Sequence, residues 1–320
     1  MDVAILAGGG EMAGPGFAAQ PPTLGLHDAI AWRSMINKIL FPVDFSPSCT
    51  AMAPYVKRAA YLIGARITLV HVFEPMDHSG FELIVRPPSE VIEEHTICAR
   101  NKLDSFMVSD IPAGKCSRVL LSGNAGNQIV DYSKEGEFDL IVMPTHAGQF
   151  RRMLLGSTTA RVLNDADCPV LTSQHAETIA PRLLEHREWV CAIGLSADSE
   201  RVLRLASQAA AAARAKLTLI HAIPDSDSAL SDRLNLAEDE QPVEKQEVLR
   251  RLDALRKSAG SEAAVRIAFG PVKEALLEAA QRSDADVLMI GRSLRPGIHG
   301  RMRDLTYALV RESPCPVLSV

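Results

Sequence analysis

The sequence predicts an α/β protein made of two tandem doubly wound domains. Two observations carry this reading. From Lys38 onward, short continuous apolar runs alternate with helical patterns, which indicates a parallel sheet with helices on both faces. The second half then repeats the first. Ile193 stands to Val43, and His221 to His71, at an offset of 150, while Gly270 to Gly123, Asp286 to Asp139 and Cys315 to Cys168 stand at 147. At 320 residues each half is long enough to bury its own core.

In chain order, residues 1–36 read as a flexible N-terminal extension. Gly8, Gly9 and Gly10 follow Val3 to Leu6 in a superficial dinucleotide-binding pattern, but Gly14, Pro15, Gly16, Pro21 and Pro22 break the helix it requires. The first domain, 37–174, opens with a strand over 39–43 that ends in Asp44-Phe45-Ser46, followed by an Ala-rich helix over 49–64. A β-branched strand over 67–73, a helix over 89–108, a strand over 118–121 and a helix over 125–134 come next. Leu140 to Met143 is a buried strand, Gly156-Ser157 opens a helix, and Cys168-Pro169-Val170-Leu171 leads into the last strand. A Gly-Ser pair at a helix start offers free N–H groups and the positive end of the helix dipole to an anion.

Residues 175–187 form a linker around Pro181, and 188–320 form the second domain. There LTLIHA echoes ITLVHV, DADVLMIG echoes EFDLIVMP, and SPCPVLSV echoes ADCPVLTS. The acidic, polar arm 225–247 reads as a mobile loop before a helix. A net charge of −5 and a pI near 6.0 leave no electrostatic case for nucleic acid or an anionic membrane, and no apolar run is long enough to span a bilayer. The six cysteines show no CxxC pair or metal-ligand spacing; they read as reduced thiols, several of them buried, and so as a cytoplasmic protein.

KILFPVDFS, ITLVHV, DLIVMPTH, LLGSTTARVL and DCPVL occur in that order over residues 37–173 and resemble the universal stress protein family; a weaker copy covers 188–320. The resemblance implies a five-stranded parallel sheet of order 3-2-1-4-5 in each domain, with a nucleotide cleft where the order switches. It also implies that the two domains pair through their last strands, like a covalent dimer; a homodimer of the whole chain is a further expectation. Members that bind ATP carry a loop of the form G-x2-G-x9-G-(S/T). Here Pro144 and Ala147 occupy the first two glycine positions and the loop is one residue short, while Gly156-Ser157 is kept. Proline supplies neither a positive φ nor an N–H, so Pro144 weakens the phosphate cradle.

The same resemblance places Asp44 where ATP-binding members have an acidic residue facing the nucleoside, and Val72 and Met143 where residues flank the adenine. Asp44 can accept a hydrogen bond from a ribose hydroxyl or, with Ser46, cap the next helix. Val72 and Met143 also fit as plain core residues. Ser157 and Thr158 can donate to phosphate, although Ser157 can equally be only a cap; Arg151, Arg152 and His146 lie in the loop between. His71 and His221 read as packed, hydrogen-bonded strand-end residues. In the second domain Gly194 replaces Asp44, Leu294 the second loop residue, and Arg303-Asp304 the Gly-Ser pair; Asp304 at a helix start repels phosphate. Arg292, Arg295, Gly297, Gly300, Arg301 and Arg303 are candidates for a different anion pocket.

The expected function is stress response by regulatory binding, with ATP, and Mg²⁺ only as its companion, in the first domain alone. No catalytic triad, carboxylate pair or metal cluster is evident in the sequence. The alternatives are slow ATP hydrolysis, with Asp44 and Ser157 placing the nucleotide on a metal ion, and a pure interaction module.

Overall fold

Apolar residues occupy both faces of every central strand, and alternation along each strand sends them to two separate cores. Residues 36–74, 88–108, 111, 114–145, 155–174, 187–224, 242–292 and 300–320 are described by the computed structural model. The first half runs β1 (Lys38–Pro42), α1 (Pro47–Ile63), β2 (Arg66–Phe73), α2 (Pro88–Ser105) and β3 (Cys116–Ser122). It continues with α3 (Ala125–Glu135), β4 (Leu140–Pro144), α4 (Ser157–Asp165) and β5 (Val170–Ser173). The second half repeats the order as β6 (Glu188–Ala192), α5 (Ser199–Ala213), β7 (Lys216–Ile223), α6 (Pro242–Ser258) and β8 (Ala264–Phe269). It ends with α7 (Val272–Arg282), β9 (Val287–Ile290), α8 (Gly300–Glu312) and β10 (Val317–Ser319).

All ten strands join one sheet in the order β3-β2-β1-β4-β5-β10-β9-β6-β7-β8. Each half therefore has the 3-2-1-4-5 order, and pairing is parallel within it. The halves meet at β5 and β10, which pair antiparallel with Leu171 opposite Leu318. The seam is reciprocal: Thr172 Oγ1 donates to the Val317 carbonyl at 3.3 Å, and Ser319 Oγ, its repeat equivalent, donates to the Val170 carbonyl at 3.2 Å. On one face, Ile39 and Phe41 of β1 and Leu140 and Val142 of β4 pack under α1 and α2. On the other, Leu40, Ile141 and Met143 pack under α3 and α4. Both cores run on into the second half, so the seam is bridged by packing as well as by strand pairing.

The repeat extends to the connections. Asp139 Oδ2 accepts from the N–H groups of Asn37 and Lys38, and Asp286 Oδ2 accepts from those of Arg187 and Glu188. A carboxylate thus ties the start of each first strand to the turn before the fourth. All six cysteines are free thiols; Cys49, Cys191 and Cys315 are buried and Cys98 is exposed. Burial pushes the Cys49 and Cys191 thiols up to about 12, so they stay protonated and chemically quiet at neutral pH. No described helix is long and apolar enough to cross a membrane. The expected arm 225–247 is corrected at its end, since α6 begins at Pro242; residues 225–241, the extension 1–35 and the loop 146–154 lie outside the described residues.

Candidate functional site

In a 3-2-1-4-5 sheet the connections leave β1 and β4 in opposite directions, which opens a crevice beyond their C-terminal ends. Strand register sets what reaches that edge. β1 pairs with β2 at a constant offset of 28 (Pro42 with Val70), and the Val43 N–H continues the ladder to the Val70 carbonyl at 2.8 Å. The same offset carried past the strand brings Asp44 level with Val72 (44 + 28 = 72). Between β1 and β4 the offset is 101 (Leu40 with Ile141), which brings Pro42 level with Met143 (42 + 101 = 143). Asp44, Val72 and Met143 thus come at or near the C-terminal ends of adjacent strands, Met143 two residues short of the level of Asp44.

Asp44 is exposed, and its Oδ1 accepts the Ser46 N–H at 3.0 Å. Ser46 Oγ in turn accepts the Cys49 N–H at 3.1 Å and caps α1. Ser46 is therefore the cap, and Asp44 braces the turn with one carboxylate oxygen. Phe45 between them takes a left-handed φ of 60° and packs its ring 4.7 Å from that of His71. His71 Nδ1–H donates to the Val43 carbonyl at 2.6 Å, and His221 repeats the bond to the Ile193 carbonyl at 2.7 Å. Both histidines fasten the first two strands of their half to each other, as packed residues do. Met143 is buried in the core under α3 and α4, and Val72 packs half-buried against the same core.

The opposite wall is the N-terminus of α4. Gly156 is its N-cap in extended conformation, and no side chain caps the first turn. Ser157 is exposed and Thr158 half-buried. Two contacts hold this helix start against the end of β4, and a third fastens that end to β5. The Gly156 N–H donates to the Thr145 carbonyl at 3.1 Å, Thr159 Oγ1 donates to the Pro144 carbonyl at 3.2 Å, and the Thr145 N–H donates to the Ser173 carbonyl at 3.2 Å. Gly126 of α3 allows the closest approach: a Cβ there would lie 2.9 Å from Cβ of Arg161. Thr145, Thr159 and Gly126 are positioning residues that the motifs did not single out; the replacement of Gly126 by Lys273 in the repeat (273 − 126 = 147) is the sequence signal for the last. Ala147, His146, Arg151 and Arg152 lie outside the described residues.

The corresponding edge of the second half is built differently. Gly194 leaves no carboxylate beside Leu195, although Leu195 keeps the left-handed turn with a φ of 53°. The expectation that Asp304 opens a helix is corrected: α8 starts at Gly300, so Asp304 lies exposed in its second turn, and no acidic residue occupies the first. Helix propagation through Arg301, Met302 and Arg303 adds a turn where the first half has residues 154–156 (301 − 147 = 154; 303 − 147 = 156). Arg292, expected in an anion pocket, is instead buried at the seam. Its Nη1 donates to the Leu163 carbonyl at 2.9 Å and its Nη2 to the Cys168 carbonyl at 2.6 Å, both in the first half. Leu163 is in the last turn of α4, where carbonyls lack helical partners and a cation is favoured. Burial pulls the guanidinium down to about 10, which still leaves it charged at neutral pH. The repeat equivalent of Arg292 is Thr145, which pins α4 instead.

The model of the universal stress protein family matches residues 35–173 and again 187–320. A curated universal stress protein of Thermus aquaticus is 30% identical over 142 residues, covering 43% of this chain and 98% of its own length. Among solved structures, a universal stress protein from Archaeoglobus fulgidus superposes with a TM-score of 0.63 at 20% identity, covering 88% of this chain and 95% of that one. A Pseudomonas aeruginosa structure described as a putative universal stress protein gives 0.58 at 17%, covering 91% and 94%. At those identities the two structures speak for the fold, including its two-domain extent.

Proposed function

The chain belongs to the universal stress protein family, and from that premise we propose that it acts in stress response by regulatory binding, with a single adenine-nucleotide site in its first half. The observation that carries the site is the first turn of α4: it has no side-chain cap and is fastened to the end of β4 across the crevice from Asp44. Backbone N–H groups at Ser157 and Thr158, with their hydroxyls, suit phosphate oxygens, and Gly156 lets the backbone come close. The second oxygen of Asp44 suits a ribose hydroxyl. Val72, half-buried, offers apolar surface to the adenine with Met143 buried behind it, and the family resemblance adds Ala147, which lies outside the described residues. Mg²⁺ would arrive with the nucleotide. Pro144, with no N–H, leaves this cradle with fewer donors than a glycine loop, so the affinity is modest and suits a sensor.

Calorimetry of the full chain with ATP and Mg²⁺ tests the reading. We expect one saturable site per chain, lost in Asp44→Ala. Ser157→Asp places a carboxylate in the first turn, where it favours the helix and repels phosphate, and weakens binding roughly tenfold or more. No heat at millimolar ATP would sink the proposal. Phosphate release followed over hours separates binding from slow hydrolysis.

A further inference from the structure

The repeat draws notice to a groove on the α1–α2 face of the sheet, opposite the face that α4 covers, which reaches Phe45 beside Asp44. The groove has a volume of about 1290 Å³ and runs between α1 and the C-terminal end of α2. That exceeds the roughly 300–1,000 Å³ of an enclosed small-molecule pocket, as an open groove should. One wall is a stripe of α1 at helical spacing, comprising Thr50, Ala53, Lys57 and Tyr61 with their neighbours Pro54 and Arg58. The facing wall is Phe106 and Met107, and the floor is Ala60, Ala65 and Ile67, all three buried. Tyr61 stands at the rim with 77% of its surface exposed. Lys57, Arg58, Lys102 and Lys115 also line the groove, and among the described residues no carboxylate does.

The second half closes the same place. Its α5 packs on α6. Leu203, fully buried, takes the position of Ala53 (203 − 53 = 150) and fills the space that alanine leaves. Ser207 takes the position of Lys57 (207 − 57 = 150), and its Oγ bonds Ser261 Oγ at 2.7 Å across the gap. The charges are rearranged as well: Gln208 stands for Arg58 (208 − 58 = 150) and Glu262 for Lys115 (262 − 115 = 147), while Arg204 and Arg214 stand for Pro54 and Gly64 (204 − 54 = 150; 214 − 64 = 150), Arg204 pairing with Glu200. One fold thus has a packed version and an open, apolar version lined by four cations. A long apolar trough whose described margin carries four cations complements an apolar chain that ends in an anion.

We infer that the groove between α1 and α2 binds a free amphipathic anion, a single acyl chain with a carboxylate head. The chain lies along Ala53, Ala60, Ile67 and Met107, and the carboxylate meets the lysine and arginine margin. This site is separate from the proposed nucleotide site and does not depend on it.

Titrating the full chain with octanoate, decanoate and dodecanoate, each below its micelle concentration, tests the inference. We expect one site per chain and a Kd that falls roughly 15-fold per two-carbon step, the fold-change equivalent to ~0.8 kcal/mol per buried methylene. Ala53→Leu installs the second half's own side chain and abolishes binding. Lys115→Glu, at an exposed position, weakens dodecanoate about fivefold with unchanged melting temperature. The inference is overturned by a flat chain-length series, by dodecanol binding as tightly as dodecanoate, or by unchanged binding in both variants. Association only with vesicles of phosphatidylcholine and phosphatidylglycerol, and not with monomeric dodecanoate, overturns it as well.

Discussion

The two halves keep the same unusual backbone angles, at two of three turns with different residues. Phe45 and Leu195 turn left-handed after the first strand at φ 60° and 53°, Gly123 and Gly270 after the third at 127° and 115°, and Glu137 and Asp284 before the fourth both at 49°. At the crevice edges, by contrast, little matches: Asp44 faces Gly194 in the repeat, Thr145 faces Arg292, and an uncapped α4 faces a longer α8. Chain reversals are imposed by the sheet, so they persist whatever side chain occupies them. Positions at the crevice edge are free to diverge, and here Arg292 has turned to the seam. Arg292 shows the exchange most directly, because the residue that would border the second crevice instead holds the end of α4.

The largest test of that comparison is to break the seam. Leu318 is buried opposite Leu171, in a core continuous across both halves. Leu318→Asp buries an unpaired carboxylate and is expected to cost more than about 4 kcal/mol. Urea unfolding followed at Trp189 and by far-UV circular dichroism should show both halves weakened together. Loss confined to the second half would mean that they stand independently. Next in size is Arg292→Met, which keeps most of the aliphatic volume but leaves the Leu163 and Cys168 carbonyls without their donors. Relief of the buried charge offsets part of the loss, and we expect a net destabilisation of about 2–4 kcal/mol in the same assay. A variant as stable as the parent would show that the guanidinium is tolerated there and does not hold α4.

Much of this fold was legible in the chain. Continuous apolar strands gave the parallel sheet, and constant offsets gave the repeat, because both follow from local periodicity. The family motifs picked out Asp44, Val72 and Met143 near the ends of the central strands and Gly156-Ser157 at a helix start. What stayed hidden depends on side chains crossing between distant segments. Nothing near Arg292 signals that its partners are the carbonyls of Leu163 and Cys168, which are 129 and 124 residues away. The start of α8 was misplaced because Arg303-Asp304 was matched to Gly156-Ser157 at the start of α4, whereas α8 begins at Gly300 and carries Asp304 past the first turn. The groove beside α1 was invisible because Ala53 and Lys57 are ordinary helix residues until their repeat partners show what fills the space elsewhere.

Alkaline pH offers a smaller effect that compares one buried thiol from each half. Cys49 in α1 and Cys191 in β6 have an ordinary value of 9.0, raised by burial to about 12 in the folded chain. Between those values the unfolded chain loses protons that the folded chain keeps, so stability is intact below pH 9 and falls as pH rises above it. The slope is about 1.4 kcal/mol per pH unit for each thiol. Cys49→Ala and Cys191→Ala should each remove an equal share of the alkaline loss in unfolding curves collected from pH 8 to pH 11. Unequal shares would mean that the halves do not open together.

The smallest effect isolates backbone geometry from every contact. Gly64 ends α1 and Arg214 ends α5 in the same left-handed conformation, at φ 76° and 57°. Nothing lies within 4 Å of a Cβ built on Gly64, so Gly64→Ala meets no neighbour and pays only the conformational penalty. It should lower stability by about 1 kcal/mol. Arg214→Gly relieves the same strain in the other half, at the expense of a more flexible unfolded chain, and should raise stability by roughly 0.5–1 kcal/mol. Thermal unfolding of the two variants side by side should therefore show shifts of opposite sign. Shifts of the same sign would mean that the two helix ends, alike in φ, are held by different forces.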